Sequence, residues 1–348
     1  MQAVKTQNID WINNLRLIAL LAVIILHSTS LLLMQLGKVP LSTWLVADFL
    51  NAMVRFAVPC FVMITGALLL PKEYELAAFF KKRLTRVVIP FLFWSLIYVI
   101  YSWYNEELLF TNNLWLNIKL VLHQLKNGSC YHLWYVYMLI GLYFIIPVIG
   151  KFVRNASEKE TLYFLLVWFG VMMLNQPFLS PYNPSVDMRY FTGYIGYLVL
   201  GNYLATKDFN MPNLRNWMVI LFLVSLFIIT LGSWLITRYP NIPGTMFYEP
   251  INPVVLILSA SVFLIVKYTI PKVPILFIKI RDFIGGYNYG IYLGHALVLF
   301  FLDDLAGISY KLCNPILSIP ITAIICLFIT LILVWLISKV PFGKWVAG

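Results

Sequence analysis

The sequence predicts an all-α, polytopic membrane protein of about ten transmembrane helices with both termini in the cytoplasm. Three observations predict it. Only 11% of the 348 residues are charged while 61% are hydrophobic, and the mean hydropathy is +0.85; a soluble domain carries about 25% charged residues. Apolar runs of roughly 20 residues, the length that crosses a hydrocarbon core, recur along the whole chain. The basic residues between those runs are distributed unevenly, as the positive-inside rule requires.

By run length the spans fall at about 14–36, 46–70, 86–104, 131–150, 161–178, 189–206, 214–237, 249–268, 287–303 and 317–339, the fifth and ninth being short. Between the third and fourth, LWLNIKLVLHQLK (114–126) is too short and too amphipathic to cross, which predicts a surface helix in the outer interface. No long soluble segment intervenes, so residues 1–348 read as a single integral-membrane domain. No internal repeat stands out, which weakens an inverted-repeat transporter reading. The Leu17–Leu26 stretch resembles a signal-peptide core but no small-residue cleavage site follows, so no cleavable signal is expected.

With the N-terminus inside, seventeen of the 25 Lys and Arg residues fall in inner segments and six outside, and Arg16 and Arg55 complete the set. The net charge of +11 is thereby read as topology rather than nucleic-acid affinity. The four cysteines show no metal-site spacing; Cys130 and Cys313 both fall outside and could pair.

Arg16 and His27 stand eleven residues apart on the first span. At about 100° per residue that is ~20° past three full turns, so both project from one face, ~16 Å apart along the axis. Charged side chains are costly in hydrocarbon and normally face a polar cavity. The competing readings are headgroup snorkelling for Arg16 and an interhelical hydrogen bond for His27. Arg55, in VRFAVPCFVMITG, is expected at a depth similar to His27 on the antiparallel second span, where a guanidinium stabilises a developing oxyanion. Pro59 breaks the helical ladder one turn on and frees backbone groups to line a cavity.

His295 falls mid-span with Tyr289 and Tyr292 one or two turns before it, and His132 sits at the outer end of the fourth span. Each either binds a polar substrate or is an interfacial residue. His123, on the surface helix, reads as solvated, and Glu249 is a weak acid or base candidate. Orientation alone explains Lys81, Lys82, Arg83 and Arg86, which are also where a polyanionic cytosolic ligand would dock. There is no GxGxxG, P-loop or HExxH motif, so no metal or nucleotide fold is expected. The acidic residues lie mostly at span ends, and no buried carboxylate of the kind a proton-coupled pump carries is expected.

Arg-x10-His on the first span resembles the integral-membrane acyltransferase family 3. IDWINNLRLIALLAVIILH, RFAVPCFVMITGALLL, YHLWYVYMLIGLYFIIPVI and NYGIYLGHALV match in order along almost the whole chain, and the set is most similar to the branch of surface-polysaccharide and enterobacterial common antigen O-acetyltransferases. The resemblance implies a multi-pass enzyme of the bacterial cytoplasmic membrane. It would move an acyl group, typically acetyl, from cytosolic acyl-CoA to a hydroxyl of a surface glycan or its lipid-linked precursor. On the matching positions His27 would be the catalytic histidine and Arg16 its partner. Arg55 matches the arginine before the family's V-P-x-F segment, and His295 the histidine closing its G-I-Y-L-x-H segment. Placement along the spans adds His132 and Tyr292 to Arg55 and His295 on the acceptor's side, and Lys82, Arg83 and Arg86 on the donor's. His27 would act either as general base or as the carrier of an acyl-histidine. No cofactor beyond the acyl-CoA substrate and no metal is implied. The expected partners are the donor, the glycan acceptor and the bilayer, with a homo-oligomer open and no nucleic acid. Three positions depart from the family pattern. Asn13 stands where many members have Asp, Leu17 where many have Gly, and Thr65-Gly66 where Ser-Gly is usual. The competing classes are a transporter or flippase for lipid-linked glycans and, more remotely, a glycan polymerase or ligase, for which the outer loops are short and poorly charged.

Overall fold

The computed structural model describes residues 10–176, 193–239, 244–269 and 273–348. Lys5, Arg189, Lys272, the end of the fifth expected span and the start of the sixth lie outside them. Among the described residues the chain is helical and has no strand. The helices are α1 (Asp10–Leu33), α2 (Leu41–Met53), α3 (Ala57–Leu69), α4 (Leu76–Tyr104), α5 (Leu114–Asn127), α6 (Trp134–Asn155) and α7 (Glu158–Leu174). They continue as α8 (Ile195–Thr206), α9 (Leu214–Ile236), α10 (Pro253–Tyr268), α11 (Ile275–Gly286), α12 (Asn288–Asp304), α13 (Pro315–Ile337) and α14 (Gly343–Ala347).

Seven helical segments among the described residues are long and apolar enough to cross a membrane. The fifth, sixth and ninth expected spans appear as α7, α8 and α12, of 17, 12 and 17 residues. The second span is not one helix: α2 ends at Met53 and α3 starts at Ala57, with Val54, Arg55 and Phe56 in a turn between them. Pro59 explains the position of the break. It has no amide proton to give the Arg55 carbonyl, its ring would crowd that carbonyl, and proline is tolerated in the first turn of the new helix. Three further prolines sit inside helices, Pro90 in α4, Pro147 in α6 and Pro320 in α13, and the first two lie on the helices that flank the site. By the same rule those two release the carbonyls of Arg86 and Tyr143.

The third span is longer than its apolar run, because α4 begins at Leu76 and takes the Lys81–Arg86 cluster into its first turns. Its first two amide groups are capped by the Glu75 carboxylate, which accepts from Ala77 N at 2.9 Å and Ala78 N at 2.6 Å. The surface helix α5 has no buried residue and is capped by Asn113, whose side chain accepts from Trp115 N and Leu116 N. The loop expected before the ninth span contains α11, held to the start of α1 by a buried guanidinium. Arg281, 3% exposed, pairs with Asp10 at 2.9 Å and donates to Asn14 Oδ1 at 2.9 Å. It is a structural ion pair rather than a loop charge.

Helix α1 is the axis of the bundle, packing against α2, α3, α10, α11, α12 and α13. The closest pairing is α3 on α8, where Gly66 lets the backbones meet: a Cβ there would overlap the Leu198 carbonyl. All four cysteines are free thiols, so Cys130 and Cys313 are not paired.

Candidate active site

Three imidazoles from three distant parts of the chain converge. His27 on α1 has its ring centroid 5.2 Å from His295 of α12 and 6.1 Å from His132, and the last two are 5.0 Å apart. His132 belongs to a single 3-10 turn, Tyr131–Leu133, that leads directly into α6. Backbone carbonyls fix the tautomers of two of them, because a carbonyl can only accept. His295 Nδ1 lies 2.6 Å from Tyr292 O, so Nδ1 carries the proton. His132 Nε2 lies 3.2 Å from Leu293 O, so there Nε2 carries it. The other nitrogens, His295 Nε2 and His132 Nδ1, are buried acceptors without a partner. Among the described residues His27, half-buried, makes ring contacts and no hydrogen bond, its nearest ring being Tyr131 at 4.9 Å. The arrangement is one accessible imidazole facing two fixed acceptor nitrogens.

The scaffold under this cluster is hydrogen-bonded. The Tyr292 hydroxyl donates to His132 O at 2.5 Å. Tyr98, 1% exposed, donates to Leu293 O at 2.8 Å and accepts from Leu297 N at 3.1 Å. A regular helix would pair those two groups with each other, so the hydroxyl bridges α12 across the turn that bears His295. Tyr98→Phe strands both groups and is expected to cost about 1–3 kcal/mol, readable as a lowered melting temperature of the detergent-solubilised protein. Unchanged melting would mean that the bridge is not stabilising.

The histidine cluster stands over a cavity of about 790 Å³. Arg16, Arg83, Arg86 and Lys344 line it, its remaining walls are mainly apolar and aromatic, and no Asp or Glu is among its lining residues. Tyr135 and Tyr292, 5.2 Å apart, also line it, and Tyr292 touches both His132 and His295. Tyr292 is therefore shared by the cavity wall and the histidine cluster. Arg16 meets only Asn13 Oδ1, at 3.3 Å, and has no acidic partner among the described residues. It also borders a smaller cavity of about 210 Å³ with Asn13, Arg281 and Asn288. Lys82 does not line the large cavity: it is rotated about 100° from Arg83, on the far side of Arg86, and points away exposed.

Arg55 sits in the α2–α3 break, and its partners are on the turn before α10. Nη1 donates to Tyr248 O at 3.3 Å, the guanidinium carbon stands 4.1 Å from the Tyr248 ring centroid, and Nε has no partner. Beside it is a residue that the sequence reading missed. Asp48 is 0% exposed, which corrects the expectation that no carboxylate is buried. The Ser233 and Tyr248 hydroxyls both donate to Asp48 Oδ1, and Oδ2 is unpartnered. Asn51, on the same helix, reaches the His27 turn, donating to Leu26 O at 3.2 Å and Thr29 Oγ1 at 2.6 Å. Leu26 O also accepts from Thr29 and Ser30, so three side chains pin the peptide that joins it to His27. Glu249 is exposed and outside the cluster, and His123 bonds only Asn127 on the surface helix.

A family profile described as an acyltransferase domain matches residues 9–339. The chain belongs to the acyltransferase 3 family. No curated protein and no solved structure matches it. Membership makes the chain a membrane acyltransferase, and residues 9–339 take in the histidine cluster, Arg16, Arg55 and all but the α14 edge of the large cavity. Among the described residues no group of His, Cys, Asp or Glu has the arrangement of a metal site.

Proposed function

We propose that this acyltransferase takes an acyl group, acetyl in the simplest case, from cytosolic acyl-CoA and places it on a hydroxyl of a surface polysaccharide or its lipid-linked precursor in the bacterial cytoplasmic membrane. The observation that carries the reading is the cavity. It is lined by four cationic side chains and by no Asp or Glu, is mainly apolar along its walls, and shares Tyr292 with two of the three imidazoles. A donor with a phosphorylated head and a thioester at the end of a long arm fits that sequence of surfaces. The head rests on Arg83 and Arg86, and the arm follows the face from Arg16 to His27, ~16 Å along α1.

The acceptor hydroxyl approaches past Tyr131, which is 51% exposed and has its ring tilted against His27. His27 removes the hydroxyl proton as general base, and the oxygen attacks the thioester carbonyl carbon. The tetrahedral intermediate collapses with cleavage of the carbon–sulfur bond, and the thiolate takes the proton back from His27 to leave as CoA. His132 Nδ1 and His295 Nε2 accept hydrogen bonds from the sugar hydroxyls and hold the nucleophile in place. Arg55 supplies positive charge for the oxyanion. Arg16 anchors the donor at the entrance.

The test is a turnover assay with purified protein in lipid nanodiscs, labelled acetyl-CoA and lipid-linked glycans extracted from the host envelope. Acceptor-dependent CoA release is expected, with label on an ester of the glycan by mass spectrometry. No ester product, together with glycan translocation in liposomes, would place the protein with the flippases instead.

A further inference from the structure

Neither the family match, which ends at residue 339, nor the histidine geometry gives helix α14 a part. Three observations do. The helix is built with two unlike faces: Gly343 and Ala347, one turn apart, are buried, while Lys344 and Trp345 are exposed toward the large cavity and line it. Its anchor is a close backbone approach to α12, since a Cβ on Gly290 would overlap the Ala347 carbonyl. That contact lies two residues before Tyr292, on the helix that carries His295. The turn that aims α14 back at the bundle is conformationally costly. Phe342, the residue before the helix, has φ +61°, a left-handed conformation that a bulky side chain rarely adopts, and its own side chain is 84% exposed. A strained residue with no packing of its own is kept where the surrounding contacts require it.

We infer that Lys344 is a phosphate-binding residue, and that α14 is the wall of the donor cavity that brings it opposite Arg83 and Arg86. This rests on the reading of the cavity as the acyl-CoA site. Lys344 has no Asp or Glu partner among the described residues, and no Asp or Glu side chain lines the cavity to neutralise it. Helix α14 packs on α4, the helix that bears Arg83 and Arg86. An ammonium on a flexible stem is a point charge suited to a phosphoryl group whose position varies, whereas the two guanidinia suit fixed bidentate contacts. Trp345 beside it offers an aromatic face on which a purine can stack. The ligand chemistry is thus a phosphorylated adenine nucleotide head group, recognised from two sides.

Phosphoryl groups are also present on anionic lipids, so the experiment separates the two sources. CoA binding is measured by isothermal titration calorimetry on the full chain in phosphatidylcholine nanodiscs, with and without phosphatidylglycerol. Lys344→Ala is expected to weaken CoA binding about tenfold, the effect of losing one charge-assisted hydrogen bond. Lys344→Arg should restore most of it, and the melting temperature should stay that of the parent. Dephospho-CoA should bind the parent more weakly than CoA and lose less on going to Lys344→Ala if the lysine reads the 3′-phosphate. An equal loss for both ligands would assign it to the pyrophosphate, still within the proposal. Lys344→Ala binding CoA like the parent, while Arg86→Ala is impaired, overturns the role of α14 and leaves the donor site standing. A lysine effect seen only with phosphatidylglycerol present overturns it in favour of a lipid contact. Absence of CoA binding by the parent protein overturns the donor reading itself.

Discussion

Replacing His27 with alanine is expected to lower acyl transfer by about 10²–10⁴-fold, the span typical of a lost general base, with the protein still folded. The size follows from the arrangement of the three imidazoles. His132 and His295 each spend one ring nitrogen on a backbone carbonyl and are almost wholly buried. Moving to take a proton would cost them those bonds, whereas His27 makes no hydrogen bond that must be broken. The side chain can also be removed without collapse, since it is only half-buried and its backbone is pinned through Leu26 O by Thr29, Ser30 and Asn51. The measurement is initial-rate CoA release, with size-exclusion profile and melting temperature as controls. Turnover near the parent rate would remove His27 from the chemistry. Intact-protein mass spectrometry after incubation with acetyl-CoA alone distinguishes its role: an acetyl adduct on His27 that acceptor discharges would make it a nucleophile rather than a base.

The half of this site that lies on one helix was legible in the sequence. Arg16 and His27 sit on one face of α1 because eleven residues are nearly three turns, and no tertiary information is needed for that. Arg83 and Arg86 were likewise visible as a cluster, and their spacing of three residues puts them on one side of α4. The meeting of His27, His132 and His295 was expected through the family resemblance and not from periodicity. It joins residues more than a hundred positions apart through a 3-10 turn and two helices, and sequence periodicity carries no information on which helices are neighbours. The break at Arg55 was foreshadowed by Pro59, but its consequence, a guanidinium held by the Tyr248 carbonyl and ring, depends on where the turn before α10 packs. Asp48 was missed for a simpler reason. Hydropathy placed the start of the second span at residue 46, making Asp48 a terminal residue. The helix in fact begins at Leu41, which puts the carboxylate two turns inside it. Asp48 and Arg55 are seven residues apart, about 20° short of two turns, and that spacing on an otherwise apolar run was the available signal.

This pair carries the second large expected effect. Among the described residues Asp48 has no direct ion pair, and its nearest compensation is indirect. Tyr248 donates its hydroxyl to Asp48 while its carbonyl and ring hold Arg55, whose field reaches the carboxylate. Removing Arg55 leaves a wholly buried acid facing two hydroxyls alone. Breaking a buried charge pair in this way typically costs about 3–5 kcal/mol, and more than removing both members. Arg55→Leu is therefore expected to be poorly extracted and to melt much lower than the parent. Asp48→Asn, which still accepts from Ser233 and Tyr248, should fold with a smaller loss. The double variant Asp48→Asn with Arg55→Leu should recover part of the stability lost by Arg55→Leu alone, because the orphaned charge is gone. Its activity should not recover, since the guanidinium that serves the oxyanion is still missing. Stability that falls additively in the double variant would show that Asp48 and Arg55 are not coupled through Tyr248. Full activity in the double variant would remove Arg55 from the reaction and leave the pair a purely structural lock on the broken second span.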